Sequence, residues 1–244
     1  MNTIRVMTYH IHRCRGVDGV TSAERVAEVI GEGAPDVVAL QDVDAEAGKG
    51  QLDRLGDLLG MCRYGPVKPG SNGFLSYYPM RGIQEFSLGG EGICVVGDLD
   101  FRGRRIHLFN VRFDPAPEKR RWQMARLLGE DLLGRRSQAC PVMVMGDFTG
   151  TPWASGLGLF SSLKQAKRPV WGGTYPSRFP VIARDRVYLC GRIRVVDTRI
   201  LRGGRAREAS THLPHLLTLQ IGDPGSYLRI AKLNNTPMEP AAGC

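Results

Sequence analysis

Short apolar runs of strand-forming residues alternate along this chain with segments whose apolar residues recur at helical spacing, and this alternation constrains the fold most. Helices are expected from a capping box at Thr21–Glu24 to the stop signals Gly31, Gly33 and Pro35, over Gln51–Leu59, and over Glu118–Leu133 with Trp122 in the core. Strands are expected at Ile4–Tyr9, Val37–Leu40, Phe74–Ser76, Ile93–Val96, Ile106–Val111, Val142–Met145, Val187–Cys190, Val195–Leu201 and Leu216–Ile221. Such alternation predicts an α/β or α+β layered fold.

The balance of charge points to a phosphate-bearing partner. The chain carries 33 basic and 24 acidic residues, a net charge of +9, and 27 of the basic residues are arginine. Arginine keeps its charge at any physiological pH and holds phosphate through parallel hydrogen bonds. A genome whose codons favour arginine would give the same composition, so nucleic acid is a candidate partner and not a required one.

Cysteine usage and the lack of long apolar runs bear on the compartment. The 6 cysteines form no Cys-x-x-Cys pair, and a disulfide framework is not expected at this length and spacing. No run approaches the length of a membrane span, and the first residues resemble a strand rather than a signal peptide. A cytoplasmic protein is the simplest prediction, with a single domain over residues 1–222 and an arm or frayed tail over residues 223–244.

Polar residues follow several expected strands and form an ordered set of blocks. The strongest block is Gly146-Asp147-Phe148, which closes an apolar run with a carboxylate, a common way to place a catalytic group. The other blocks, in chain order, are Thr8-Tyr9-His10-Ile11-His12, Val38-Ala39-Leu40-Gln41-Asp42, Asn72-Gly73-Phe74-Leu75-Ser76, Asn110-Val111-Arg112-Phe113, Thr174-Tyr175-Pro176-Ser177 with Asp185 behind it, and Ser210-Thr211-His212-Leu213-Pro214.

This ordered set resembles the endonuclease/exonuclease/phosphatase family over about residues 3–221. The resemblance implies a deoxyribonuclease-like four-layer α/β sandwich, in which two packed mixed β-sheets are flanked by helices and the site lies at one rim between the sheets. It also implies hydrolysis of phosphate esters with a divalent metal, Mg²⁺ or Mn²⁺, that stabilises the developing charge.

Position by position, the resemblance is mixed. Asp147, Asp185 and His212 keep the family's residues, which implies catalytic roles for all three. Five positions depart from the family pattern: His10 replaces asparagine, Asp42 a metal-binding glutamate, Arg112 histidine, Thr149 asparagine and Thr211 aspartate.

The departures predict altered chemistry. Asp42 keeps the charge of a metal ligand but is one methylene shorter, and Mg²⁺ tolerates such an error poorly. Arg112 is expected to clamp phosphate at the catalytic site, because a guanidinium cannot act as an acid or base near neutral pH. Thr149 offers a hydroxyl where the family has an amide donor. His10 is expected to bind phosphate or, with Asp42, a metal, and imidazole would favour a transition metal; a space-filling role is the alternative.

Three functions are compatible with this mixture of kept and changed residues. The first is a protein that binds a phosphate ester (nucleic acid, a phospholipid head group or a sugar phosphate) with weakened or altered metal-dependent hydrolysis. The second is a fully active metal-dependent phosphodiesterase or nuclease. The third is a non-enzymatic interaction module whose site is a relic without metal. Elsewhere, Arg184 and Arg186 are expected to be a solvated pair, with a phosphate patch as the alternative, and Trp153 and Trp171 are expected to pack or to line a groove.

Overall fold

The structure is a computed structural model that describes residues 3–45, 50–66, 68–134, 140–149, 163–166 and 172–222. The strands are β1 (Thr3–His10), β2 (Val37–Val43), β3 (Cys62–Tyr64), β4 (Ser71–Ser76), β5 (Met80–Gly89), β6 (Gly92–Phe101), β7 (Arg104–Arg112), β8 (Val142–Asp147), β9 (Lys164–Gln165), β10 (Asp185–Cys190), β11 (Ile193–Ile200) and β12 (His215–Ile221). The helices are α1 (Ala23–Gly33), α2 (Gln51–Leu59), α3 (Pro117–Leu128) and α4 (Gly204–Ala209), and a 3-10 turn spans His12–Cys14.

The strands form two mixed six-stranded sheets. The first sheet has the order β11-β12-β1-β2-β4-β3, and the second has the order β5-β6-β7-β8-β10-β9. The central pairs, β1 with β2 and β7 with β8, are parallel, whereas their neighbours pair antiparallel. Parallel neighbours end at the same edge of a sheet, so two strand ends from each sheet are available to build one site.

The sheets pack face to face and the helices cover their outer faces. Between the sheets lies an apolar core that includes Ile4, Val37, Phe74, Leu108 and Met145. Helices α1, α2 and α4 pack on the first sheet, and α3 packs on the second sheet. The predicted four-layer α/β sandwich is therefore confirmed.

Helix α1 begins at a different cap from the one the sequence suggests. Ser22, not Thr21, is the N-cap, and its hydroxyl oxygen accepts a hydrogen bond from the backbone N–H of Arg25 at 3.3 Å. The same hydroxyl donates to Glu24 at 3.0 Å. The prediction of a capping motif at this point was right, but the choice of residue was one position too early.

The buried face of α3 differs from the predicted stripe. Trp122 is 80% exposed, so its expected place in the core is wrong. The helix instead buries Arg120, Gln123, Met124 and Leu127, and it ends at Leu128. Counting apolar residues misses this face because two of its members are polar and use their side chains to bind backbone: Arg120 donates to the carbonyl of Thr149, and Gln123 donates to the carbonyl of Gly89.

Replacing Trp122 by alanine is therefore expected to change the free energy of unfolding by less than about 0.5 kcal/mol, as for other exposed side chains. Met124→Ala, on the buried face of the same helix, is the matched control and should cost roughly 2 kcal/mol or more. Urea denaturation of both variants measures the difference. A Trp122→Ala variant as unstable as Met124→Ala would contradict the observed orientation of the helix.

Some elements were not predicted from the sequence: β3, β5, β9 and α4. Strand β5 mixes polar and apolar residues on both faces and has register shifts against β6, so it lacks a clear period-two pattern. Among the described residues, no helix is both long enough and apolar enough to cross a bilayer. Trp153, Trp171 and the predicted arm at residues 223–244 lie outside the described residues.

Candidate active site at the rim between the sheets

Polar side chains continue the inward-facing series of three central strands. In β1, Ile4 and Val6 face the core between the sheets, and Thr8 and His10 follow at the same period of two. In β7, the residues Ile106 and Leu108 are followed in the same way by Asn110 and Arg112, and in β8, Met143 and Met145 are followed by Asp147. The site is thus the polar end of the core between the sheets.

Asp42 reaches the same place through a β-bulge. Val37 and Ala39 of β2 face the core between the sheets, so simple alternation would turn Asp42 toward the helices. The register between β2 and β4 shifts between Leu40 and Val43, and Asp42 has a left-handed φ of 55°. The bulge re-aims its carboxylate toward Arg112 of the second sheet.

Two histidine–aspartate pairs form the centre of the site. His10 Nδ1 lies 3.0 Å from Asp147 Oδ2, and His212 Nδ1 lies 2.9 Å from Asp185 Oδ2. The two imidazole rings stack with centroids 4.4 Å apart and planes inclined by 13°. Asp185 faces Asp147 directly across the antiparallel register of β10 and β8, so each carboxylate has an imidazole beside it.

The pairing sets the charge of these groups. Burial alone would lower the pKa of His10, but its hydrogen bond to Asp147 and the nearby carboxylate of Asp42 outweigh burial and raise this pKa to about 9. Burial would raise the pKa of Asp147, but the hydrogen bond from His10 and the nearby His212 hold it below its usual value. Without another cation, His10 is therefore an imidazolium between two carboxylates at neutral pH.

The Asp42 carboxylate is already neutralised by side chains of the protein. Arg112 Nη1 donates to Asp42 Oδ1 at 2.7 Å, Arg13 Nε lies 3.4 Å from the same oxygen, and His10 Nε2 lies 3.8 Å from Oδ2. Burial would raise the pKa of Asp42, but His10, Arg112 and Arg13 lower it well below its usual range. Arg112 is fixed further by its hydrogen bond from Nη2 to the carbonyl of Gly70 at 2.8 Å.

A buried hydrogen-bond network forms the floor beneath these side chains. Asn110 Nδ2 donates to the carbonyls of Leu40 at 2.8 Å and Gly73 at 2.9 Å, and its Oδ1 accepts from Gln41 Nε2 at 2.7 Å. Gln41 also donates to Thr8 Oγ1 at 3.1 Å. The network joins the two sheets one or two residues before His10, Asp42 and Arg112, and so it fixes the distance between the strand ends that carry them.

The turn after β8 aims the Asp147 carboxylate. The backbone N–H of Thr149 donates to Asp147 Oδ1 at 2.8 Å, which leaves Oδ2 facing His10 and His212. The Thr149 hydroxyl lies 3.1 Å from the carbonyl of Phe113 and 3.2 Å from that of Asp114. Thr149 thus lies beside the cluster and supports Asp147, while the catalytic role implied by the resemblance stays a prediction.

Ser210 and Thr174 also position the cluster, although the sequence did not indicate this role for them. The Ser210 hydroxyl donates to the carbonyl of His10 at 2.7 Å and accepts from the backbone N–H of His212 at 3.3 Å, which ties the two histidine segments together. The Thr174 hydroxyl accepts from the backbone N–H of Asp185 at 3.2 Å. Both hydroxyls belong to the sequence blocks given above. However, His10 lies 200 residues from Ser210 along the chain, and Asp185 lies 11 residues from Thr174.

The structure brings His10, Asp42, Arg112, Asp147, Thr149, Asp185 and His212 into one cleft. Arg13 is an addition that the sequence did not single out. The prediction that Arg184 and Arg186 form a solvated pair is wrong for Arg186, which is 2% exposed and donates to the carbonyl of Ala183. Arg184 is half-buried, and its guanidinium lies 4.1 Å from the centre of the Tyr175 ring.

The residues around Asp42 do not suit the metal that the resemblance implies. Mg²⁺ requires oxygen ligands in near-octahedral geometry, whereas the Asp42 carboxylate is in contact with the guanidiniums of Arg112 and Arg13. His10, Asp147 and His212 each offer a ligand atom within 4.8 Å of the others, a donor set typical of transition metals. Because the rings are stacked, one ring would have to rotate before both could point at one ion.

Comparisons with known proteins agree with this architecture. An endonuclease/exonuclease/phosphatase from Beutenbergia cavernae has a TM-score of 0.73 at 23% identity, over 91% of this chain and 72% of that chain. A humanized D. rerio TDP2 has a TM-score of 0.76 at 12% identity, over 90% and 99% of the two chains. D. rerio TDP2 complexed with single strand DNA product gives 0.73 at 13% identity, over 89% and 98%. No curated protein sequence matches the chain.

Likeness at these identities establishes a shared fold and no shared substrate. A family model, in contrast, compares the sequence position by position with a whole family. The model of the Endonuclease/Exonuclease/phosphatase family matches residues 10–216, which is most of the chain and includes every residue of the cleft described above. The chain therefore belongs to the endonuclease/exonuclease/phosphatase family.

Proposed function

We propose that this protein binds phosphate esters in the cleft and that its metal-dependent hydrolysis is weakened or altered relative to the family. The contact that carries the proposal is the 2.7 Å hydrogen bond from Arg112 to Asp42. It holds a fixed guanidinium against Asp42, the carboxylate that the family resemblance implies as a metal ligand. Phosphate is then held by cations that belong to the protein, Arg112 and Arg13, rather than by Mg²⁺.

Arg112 retains capacity for a phosphate oxygen. Its Nη1 donates to Asp42 and its Nη2 to the Gly70 carbonyl, and each of these two nitrogens carries a second N–H. A guanidinium has more N–H donors than these two contacts use. The side chain is 16% exposed, so a ligand in the cleft can reach it.

A pocket that opens beside Asp42, at the edge of the cleft, gives the ligand room. It has a volume of about 440 Å³ and is lined by His12, Arg13, Arg15, Thr21, Asp42, Asp44 and Gln51. Arg13 comes from a turn in which three consecutive residues, His12–Cys14, have left-handed φ angles of 48° to 55°. Such angles are unfavourable for residues other than glycine, and here they direct basic residues toward the pocket.

The ligand classes that fit are those of a phosphate ester: nucleic acid, a phospholipid head group or a sugar phosphate. The net charge of +9 favours a polyanion such as nucleic acid, because each neutralised phosphate releases a counterion. One structural neighbour, a D. rerio TDP2, was solved with a single strand DNA product. We therefore take single-stranded DNA as the first ligand to test.

The two partners of the ion pair are expected to have opposite effects on phosphate binding. Arg112→Ala should weaken binding of inorganic phosphate and of a short oligothymidylate by roughly 10- to 100-fold, the size of a hydrogen bond to a charged group. Asp42→Asn should tighten binding by about tenfold, because it removes the carboxylate that repels phosphate and competes for Arg112. Isothermal titration calorimetry in the presence of a metal chelator measures both.

The chelator makes the experiment decisive for the role of metal. Phosphate binding that survives chelation supports the proposal, since Arg112 and Arg13 supply the charge. If binding requires Mg²⁺ and Asp42→Asn abolishes it, Asp42 is a metal ligand and the proposal is wrong. Arg5→Ala serves as the control, because Arg5 lies on the first sheet toward the opposite end of β1 and its loss removes a positive charge without changing the cleft.

A second candidate function is an active phosphodiesterase that uses another metal. The group of His10, Asp147 and His212 favours it, since imidazole and carboxylate together suit Mn²⁺ or Zn²⁺ better than Mg²⁺. Turnover of a generic phosphodiester with Mn²⁺ or Zn²⁺, and its loss in Asp147→Asn, separates this candidate from phosphate binding alone.

A further inference from the structure

We propose that the loop of residues 175–182 is a stacking platform for a base of single-stranded nucleic acid whose phosphate lies in the adjacent cleft. The inference rests on the proposed function and names the class of phosphate ester. In this loop, Phe179 is 74% exposed and Val181 is 65% exposed. Single exposed apolar side chains are common on protein surfaces, but these two lie on a loop that is held by hydrogen bonds and is surrounded by arginines.

The loop is fixed in the conformation that exposes its tip. Within the loop, the backbone N–H of Phe179 donates to the carbonyl of Pro176 at 3.1 Å, and that of Val181 donates to the carbonyl of Tyr175 at 3.1 Å. From outside the loop, Ser177 is held on both sides: its N–H donates to the carbonyl of Thr211 at 2.8 Å, and its hydroxyl donates to that of Arg207 at 2.9 Å. A loop fixed in this way presents Phe179 with little further loss of entropy on binding.

The platform lies next to the centre of the site. Tyr175, at the base of the loop, has its ring centroid 5.0 Å from that of His212. Thr211, which accepts the hydrogen bond from Ser177, directly precedes His212 in the chain. The base of the loop therefore borders the His212 side of the cleft, where a nucleotide bound with its phosphate in the cleft would extend.

The charges around the loop suit a polyanion. Arg178 is exposed next to Phe179, and the guanidinium of Arg207 donates to the carbonyl of Arg178 at 2.8 Å and to that of Arg202 at 3.1 Å. Arg184 covers the face of Tyr175. An exposed aromatic ring among arginines is the arrangement by which proteins hold single strands without regard to sequence. A membrane anchor is less well matched, because it usually offers a continuous apolar face rather than two apolar side chains among arginines.

The test compares two strands of equal charge, an oligothymidylate and an abasic strand of the same length, by fluorescence anisotropy. The native protein should bind the oligothymidylate about tenfold more tightly, the size of one base stacked on an aromatic ring. Phe179→Ala should remove this difference and leave the affinity for the abasic strand unchanged, whereas Phe179→Trp should keep it. Trp122→Ala, which removes an exposed aromatic residue from α3, should alter neither affinity.

Several outcomes would overturn the inference. Equal affinity of the native protein for the two strands, or equal weakening of both by Phe179→Ala, would show that no base stacks on the loop. Binding to phosphatidylserine vesicles that depends on Phe179, with no difference between the strands, would assign the loop to a membrane surface instead. If neither strand nor inorganic phosphate binds, the proposed function itself is wrong; if phosphate and the abasic strand bind and the base adds nothing, only the platform is wrong.

Discussion

Gly146→Ala is expected to lower the free energy of unfolding by about 4 kcal/mol, because overpacking and backbone strain act together. Gly146 has a φ of 141°, which residues other than glycine rarely adopt. A Cβ atom built there would lie 1.9 Å from the carbonyl oxygen of Val111, its partner in the parallel register of β7 and β8. Both strands would have to separate at the point where Arg112 and Asp147 enter the cleft.

Chemical denaturation, together with the yield of folded protein, measures this effect. Gly31→Ala is the matched control: Gly31 lies in α1 and a Cβ atom there would have no heavy atom within 4 Å. Because alanine is the better helix former, Gly31→Ala should be neutral or stabilise by up to about 1 kcal/mol. A Gly146→Ala protein as stable as the native one would show that β7 and β8 are not packed as closely as described.

Asn110→Ala is expected to cost a similar amount, about 4 kcal/mol. The variant leaves the carbonyls of Leu40 and Gly73 without the donor that reaches them from the other sheet, and each buried unsatisfied group costs about 1–3 kcal/mol. It also removes the acceptor of Gln41 Nε2. Since this network spaces the ends of β1, β2 and β7, phosphate affinity should fall in protein that remains folded.

Thr8→Val is the control for that experiment, because it keeps the volume at the site and removes a single hydroxyl from the same network. Gln41 Nε2 still has the Ala39 carbonyl and Asn110 Oδ1 as partners, so the cost should be only about 1 kcal/mol. Denaturant midpoints for both variants, with a phosphate titration on each, make the comparison. If Asn110→Ala were no more costly than Thr8→Val, the network would not be what joins the sheets at this rim.

The charges in the cleft balance one another. The Arg112 guanidinium brings a permanent charge to a site where Asp42 is 6% exposed, and the Asp42 carboxylate balances that charge at 2.7 Å. His10 is paired in the same way with Asp147 at 3.0 Å. Under the proposed function these side chains supply the positive charge that a metal ion would otherwise bring, and we therefore expect phosphate binding to outlast hydrolysis.

Several features of the fold were predictable from the sequence because they depend on neighbours along the chain. The apolar runs that form β1, β7 and β8 indicated the strands, and the polar block that follows each run indicated the candidate site residues. The same reasoning failed for α3, where Arg120 and Gln123 are buried by contacts to the backbone of distant segments. Asp42 was expected in the site from the family resemblance, but the bulge that brings its carboxylate there is not visible in the sequence of the strand.

By itself the sequence determined the layered α/β class, the family and the polar residues that follow the strands, because periodicity and ordered motifs are local properties of a chain. Only the tertiary structure decided which of those residues meet. Asp42 pairs with Arg112 across 70 positions, and His10 pairs with Asp147 across 137 positions. Each strand fixes the direction of its own side chains, but the packing of one sheet on the other sets the distances between them, and at this rim those distances place the protein's own cations on the acidic groups.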